Sequence, residues 1–343
     1  MSSVEDEFER ISVKDLIEME NTRLQHVLSR AHKSPFYRER WKAVGVDAHR
    51  VQGLQDLVRL PFITRKELFQ ATRTKKVRVA CSQVSAWFAC PDQTQPYEWF
   101  PFSAGDFLEI APMLARMSRA VDLRSGDMVL AVMDTPPRVS YVIPYLWTCL
   151  NASKVAKLEF ITGSLEWYDT LGMRWIDFVQ RRRPTVLLTS TRNALALADK
   201  IEKDRKVQAR EVLTKTRVGI FLGEPLANGK SKLMEAYDLE PFEVYSPTEH
   251  LSFCTECDAH RGIHLWLDTC IPEIIPADRE EAIPVWEAAP GTRGELVVTN
   301  FAECLPLIRF RTGESICIEG IDRCACGRTH PRISRLPSTA ATS

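Results

Sequence analysis

The sequence predicts an α/β protein whose mainly parallel sheet, covered on both faces, gives way to a β-rich C-terminal portion. Alternation is the first sign. Between residues 76 and 249, apolar runs of strand length are separated by amphipathic stretches of ten residues or more. Strands joined by helical crossovers pair in parallel. The second sign is that this alternation stops near residue 250, after which short strand candidates are separated by Gly and Pro turns. The third is size: 343 residues, 45% hydrophobic and 26% charged, can bury a large core as two domains or one large one.

In order along the chain, "DLIEMENTRLQHVLSRAH" (15 to 32) puts Leu16, Ile17, Leu24, Val27, Leu28 and Ala31 roughly on one helical face. Pro35 in "SPFYRERW" suits a first helical turn. Thr64 and Glu67 in "ITRKELFQ" have capping-box spacing. Residues 1 to 75 are therefore expected to form a helical segment packed on the main domain. "VRVAC" and "VSAWFAC" read as strands, and 103 to 121 as a capped amphipathic helix. "SGDMVLAVMD" is a turn feeding a strand. "PTVLLTSTRNALALADKIEK" and "RVGIFLGEPLANGKSKLMEAYDL" each read as strand, loop, helix. The basic run at 181 to 184 reads as a solvated helix end, where cations suit the dipole. "GIHLWLD", "PEIIP", "GELVVTN" and "LPLIRFR" are the strands of a β-rich subdomain spanning 250 to 336, and 337 to 343 is a tail.

Lys plus Arg equal Asp plus Glu at 45 each, so no global charge argues for nucleic acid or an acidic membrane. No run of eighteen apolar residues occurs, and "MSSVEDEFER" is acidic rather than a signal sequence. A cytoplasmic location is expected. Most of the ten cysteines, such as Cys149, Cys304 and Cys317, sit in apolar runs and read as small core residues.

Chemistry is expected at "FEVYSPTEHLSF" (242 to 253), where a strand ends in a polar loop carrying a tyrosine, hydroxyls and a carboxylate. Ligands gather at the carboxyl ends of parallel strands. The bland alternative is a polar loop capping a strand, with Glu249 solvated. A second cluster is cysteine-rich: Cys254, Cys257, His260 and His264, then Cys324, Cys326 and His330. Two Cys pairs about seventy residues apart are plausible halves of a four-coordinate zinc site, with more candidates than positions.

The ordered strings "SPFYRERWKAVGV", "PTVLL", "RVGIFLGEP", "VYSPTE", "GELVVTN", "LPLIRFRTGE" and "CACGRTHPRI" together resemble phenylacetate–CoA ligases of the acid-adenylating superfamily. The resemblance runs from about residue 15 to 335. It implies the layered α/β large domain of adenylate-forming enzymes with a zinc-containing β-rich subdomain. It also implies activation of a carboxylic acid by ATP and magnesium to an acyl-adenylate. Gly223, Glu224 and Pro225 would lie against adenine and Tyr245 would stack on it. Thr248 would contact the α-phosphate, Glu249 would hold magnesium, and Glu314 would take the ribose hydroxyls. Arg309 and Arg311 match a family pair that stays near phosphate or braces its strand. The resemblance further implies a structural zinc on Cys257, His264, Cys324 and Cys326, with Cys254 or His260 able to replace one of them.

Three departures from the family stand out. Its glycine-rich phosphate loop corresponds here to "ACPDQTQP" (89 to 96), which has no glycine or lysine, while Pro91 removes an amide donor. Glu314 stands where the family has Asp. After Leu336 only seven residues remain, so the mobile C-terminal domain is expected to be absent. The expected function is an atypical adenylating enzyme for a carboxylic acid, plausibly aromatic, "MDTPPRVSYVIPYLW" (133 to 147) being a candidate acid pocket. The acyl group would pass to a separate acceptor or carrier protein, and a homodimer is compatible with this. The alternative is a catalytically degenerate relative that binds nucleotide, acyl compound or a protein.

Overall fold

The structure, a computed structural model, describes residues 7–74, 76, 84–90, 98–132, 158–247, 249 and 252–337. Helices α1 (Val13–Ala31), α2 (Pro35–Ala43) and α3 (Arg65–Arg73) come first. Strands β1 (Ala86–Cys90) and β2 (Glu98–Phe102) precede α4 (Ala104–Ala120). Next come β3 (Met128–Val132), β4 (Glu159–Gly163), α5 (Leu165–Leu171), α6 (Met173–Arg182), β5 (Val186–Ser190) and α7 (Thr191–Arg205). They are followed by α8 (Ala209–Val212), β6 (Val218–Leu222), α9 (Lys230–Tyr237) and β7 (Glu240–Tyr245). The strands that follow are β8 (Cys254–Glu256), β9 (Ile263–His264), β10 (Cys270–Pro276), β11 (Ile283–Pro284), β12 (Arg293–Asn300), β13 (Phe310–Gly320) and β14 (Arg332–Arg335), with one 3-10 turn at Val285–Glu287. The strand expected at "VRVAC" and the stretch 133 to 147 lie outside the described residues.

The chain divides into two compact units. One comprises residues 113–247 and 253–260. Its sheet runs β4-β3-β5-β6-β7-β8, parallel except for the last pair. Strands β5 and β6 are fully or nearly fully buried, as a sheet covered on both faces requires. Leu187, Ile176, Val179, Leu197, Ile201, Phe221 and Leu233 pack in one core cluster. The chain leaves β3 for β4 on one side and returns to β5 on the other. That reversal makes the carboxyl ends of β3 and β5 a topological switch point. The run at 181 to 184 behaves as expected: Arg181 and Arg182 occupy the last turn of α6 and Arg183 caps it at φ +52.

The other unit comprises residues 1–112, 248–252 and 261–343. Its sheet runs β11-β10-β12-β13-β14-β9, antiparallel throughout. Gly294 in β12 is obligatory, because a Cβ there would lie 2.0 Å from the Ile275 carbonyl oxygen. The N-terminal helices follow their local signals. Ser12 caps α1, accepting from the Asp15 amide at 3.1 Å. Thr64 and Glu67 form the capping box of α3, the Thr64 amide donating to Glu67 at 2.8 Å. Ile63 pairs as an added rung beside Phe310, its amide donating to the Arg309 carbonyl at 3.0 Å. A bulge follows in β13. Glu295 faces Ser315 while Val297 faces Arg311, so Thr312, Gly313 (φ +74) and Glu314 loop out between them.

Candidate functional site

In the parallel-sheet unit, the predicted adenine-binding residues lie at the carboxyl ends of adjacent strands. Gly223 leaves β6 at φ +90, a conformation that L side chains rarely adopt. Glu224 follows, and its carboxylate accepts from the Arg192 amide at 2.5 Å in the first turn of α7. Ser190 caps the same helix, accepting from the Asn193 amide at 3.1 Å. Pro225 opens a short 3-10 turn. Tyr245 is the last residue of β7 and is 3% exposed. Two further hydroxyls belong here, Ser246 from the polar loop already singled out and Thr191, which sequence reasoning passed over. The buried oxygens of Thr191, just beyond β5, and Ser246, just beyond β7, have no hydrogen-bond partner among the described residues. Buried hydroxyls are rarely left unpaired, which makes these two candidates to meet a ligand. Their signal was present in "LTSTRN" and "YSPTE", as hydroxyls directly after a strand.

The other unit holds the remaining predicted residues. Thr248 lies outside the described residues. Glu249 is 3% exposed and its carboxylate is ion-paired with the Arg65 guanidinium. Arg65 also donates to the Thr312 carbonyl at 3.2 Å. The residue expected to hold magnesium therefore already carries a protein cation. Glu314, in the β13 bulge, is paired with Arg335 at 3.2 Å. Arg309 takes the bracing alternative. It is 3% exposed and grips Glu273 with Nε at 3.0 Å and Nη2 at 2.9 Å. It donates to the Val58 and Leu60 carbonyls at 3.1 and 2.8 Å and lies 4.1 Å from the Phe62 ring centroid. Burial pushes the Glu273 carboxyl above its ordinary value, and Arg309 offsets only part of that. Arg311 is paired with Glu295, its Nε donating at 3.0 Å.

The cysteine cluster assembles from the residues the resemblance implied. The ligand atoms of Cys257, His264, Cys324 and Cys326 all lie within 4.8 Å of one another. His264 is fully buried, and its Nε2 stands 3.5 Å from the Cys326 sulfur. A zinc tetrahedron with bonds of about 2.0–2.3 Å has edges of about 3.3–3.8 Å, so the donor set needs little contraction. His264 Nδ1 lies 3.3 Å from the His330 carbonyl. A carbonyl can only accept, so Nδ1 carries the proton and Nε2 offers its lone pair to the cluster. The other candidates are engaged elsewhere. His330 accepts from the Leu267 amide at 3.1 Å and donates to the Phe8 carbonyl at 2.9 Å. His260 sits 3.0 Å from both Glu240 and Glu256. Cys254 lies in β8 opposite Tyr245. Arg328 donates to Glu9 at 2.6 Å. Burial opposes its charge, but Glu9 and the Cys326 sulfur outweigh that and raise its pKa. Of the cysteines read as small core residues, Cys304 is buried but disulfide-bonded, and Cys317 is half-buried; Cys149 lies outside the described residues.

No helix among the described residues is long and apolar enough to cross a membrane. No protein-family model matches the chain. Among curated proteins, the phenylacetate-coenzyme A ligase of Thermus thermophilus is 24% identical over 347 residues, covering 95% of this chain and 71% of the relative. That of Aromatoleum evansii is 26% identical over 311 residues, covering 89% and 67%. Among solved structures, 2-hydroxyisobutyryl-CoA ligase in its postadenylation state, in complex with 2-HIB-AMP, superposes with a TM-score of 0.79. The identity is 22%, and the match covers 95% of this chain and 68% of the other. By sequence the chain is a homologue of phenylacetate-coenzyme A ligases, and its fold is that of adenylate-forming enzymes.

Proposed function

We propose that the chain is an adenylate-forming, acid–CoA ligase-like enzyme acting on a carboxylic acid of the aromatic class. The observation that carries this reading is the carboxyl edge of β5, β6 and β7. There the positive-φ turn at Gly223, buried Tyr245 and the hydroxyls of Thr191 and Ser246, unpartnered among the described residues, lie at the same carboxyl edge of a parallel sheet. A purine offers an aromatic face to tyrosine, and phosphate or ribose oxygens offer acceptors to hydroxyls. The relatives bear the name phenylacetate-coenzyme A ligase, which supports an aryl acid as substrate and a thiol as acceptor.

In the reaction, a carboxylate oxygen of the acid attacks the α-phosphorus of ATP. The bond from that phosphorus to the bridging oxygen breaks, and pyrophosphate leaves with the electron pair. The chain's part is to hold the base and ribose, and to keep the two reacting groups adjacent. The acyl group then passes to an acceptor nucleophile with loss of AMP. Thr248 is assigned to the α-phosphate. The Cys257, His264, Cys324 and Cys326 set fits a structural zinc ion, closed by four protein ligands and offering no open position for chemistry. Magnesium is a poorer fit at Glu249, a single buried carboxylate already paired with Arg65, and no step is routed through it.

The test is acid-dependent ATP–pyrophosphate exchange over a panel of aryl and aliphatic acids. Exchange with an aryl acid is expected. Tyr245→Ala should weaken ATP binding about three- to tenfold, the worth of one aromatic stack. Absence of exchange with every acid, together with absence of ATP binding by calorimetry, removes the proposal. The Arg65–Glu249 pair favours one second reading, a nucleotide-binding relative without catalysis; binding without exchange is its signature.

A further inference from the structure

We propose that Arg65 is a built-in cation at Glu249, holding the place there that a divalent ion would take. This rests on the reading of Glu249 as the metal-binding carboxylate of an adenylate-forming enzyme. The position is constructed step by step. Ile63 is fixed as a rung beside Phe310, with the Ile63 amide on the Arg309 carbonyl at 3.0 Å and the Arg311 amide on the Ile63 carbonyl at 2.8 Å. Thr64 then caps α3 through its box with Glu67. Arg65 is the first residue of that helix. Its guanidinium is tied to the Thr312 carbonyl at 3.2 Å and ion-paired with Glu249.

The charge balance decides what can bind. Glu249 is 3% exposed, and one buried carboxylate with one guanidinium sums to zero. A magnesium or calcium ion requires several hard oxygen ligands. At Glu249 it would meet a carboxylate already neutralised, with a positive group in contact. Arg65 cannot relieve that repulsion by losing a proton. Its side chain is 40% exposed, and a guanidinium fork suits phosphate oxygens as well as carboxylate. Arg65 thus serves as a positioning residue that supplies positive charge beside Glu249 and excludes a dication from that carboxylate.

The experiment is a Mn²⁺ titration of the zinc-loaded protein, with and without saturating AMP, read by electron paramagnetic resonance. Wild type and Glu249→Gln should bind Mn²⁺ alike, with no site that depends on Glu249. Arg65→Gln should gain one Mn²⁺ site at least tenfold tighter, absent again in the Arg65→Gln/Glu249→Gln double variant. Arg65→Lys, which keeps the charge, should not gain it. A Glu249-dependent Mn²⁺ site in wild type overturns the proposal, as does failure of a folded Arg65→Gln protein to gain one. Should Arg65→Gln not fold, the comparison of wild type with Glu249→Gln still decides. If AMP itself does not bind, the nucleotide reading fails, while the metal titration without AMP still tests the role of Arg65.

Discussion

The pairing of Arg309 with Glu273 makes a sharp test of how charge is held inside the antiparallel unit. Glu273→Met leaves a buried guanidinium that cannot deprotonate, and breaking a buried pair in this way costs about 3–5 kcal/mol. Arg309→Met acts differently. It strands the Val58 and Leu60 carbonyls, about 1 kcal/mol each, and leaves a buried carboxyl that can take up a proton. Holding that proton costs about 1.4 kcal/mol for each pH unit above the ordinary glutamate value of about 4.3, roughly 4 kcal/mol at pH 7. The folded pKa of Glu273 is raised, so this penalty is largest at high pH and shrinks as pH falls toward the unfolded value. Urea unfolding followed by tryptophan fluorescence from pH 7.5 to 5.5 reads both variants against wild type. The Arg309→Met penalty, roughly 6 kcal/mol at pH 7, should shrink as pH falls, by up to about 1.4 kcal/mol per unit, and more steeply than the Glu273→Met penalty. The double variant Arg309→Met/Glu273→Met should be more stable than either single one. Parallel pH profiles, or additive losses in the double variant, would show that the pair is not the electrostatic unit described.

Two further predictions concern buried donors and acids. Chelation should release one zinc per chain, expose the thiols of Cys257, Cys324 and Cys326, and lower stability by several kcal/mol, on the order of 10 at most. The contacts of Phe8, Glu9 and Ile11 with residues 328–330 should then exchange amide hydrogens faster; unchanged exchange after metal removal refutes the link. Glu20 is fully buried, and neither carboxylate oxygen has a hydrogen-bond partner among the described residues. Burial, reinforced by Asp268, raises its pKa well above 4.5. Its folded carboxyl keeps its proton longer than the unfolded one, so this residue's contribution to stability falls as pH rises. Glu20→Gln should therefore stabilise by about 1–3 kcal/mol at pH 7, with the gain disappearing below pH 4.5; a gain independent of pH would contradict the assignment.

Local signals were readable because their physics is local. The Thr64–Glu67 box, the amphipathic face of α1 and the Arg181–Arg183 helix end depend on neighbours three or four residues away. Alternation of strand and helix announced the parallel sheet, and the end of alternation announced the antiparallel one. The cysteine spacing narrowed the metal ligands to a short set but left the choice open. In the structure Cys257, His264, Cys324 and Cys326 come together, while His330 meets the Phe8 carbonyl and His260 meets Glu240 and Glu256. Arg309 was open in the same way, since the same guanidinium can bind phosphate or carboxylate.

What the sequence determined by itself is the class of fold, the order of its elements and the types of residue gathered at "FLGEP", "YSPTE" and the Cys/His strings. Periodicity, capping and turn chemistry are written into contiguous residues, and a linear chain displays them directly. What only the tertiary structure decided is which charges meet: Arg65 with Glu249, Arg309 with Glu273, Arg335 with Glu314. These partners stand 184, 36 and 21 residues apart. The energy of a charge depends on its distance from others and on the water removed around it. Neither is a property of the chain until it has folded.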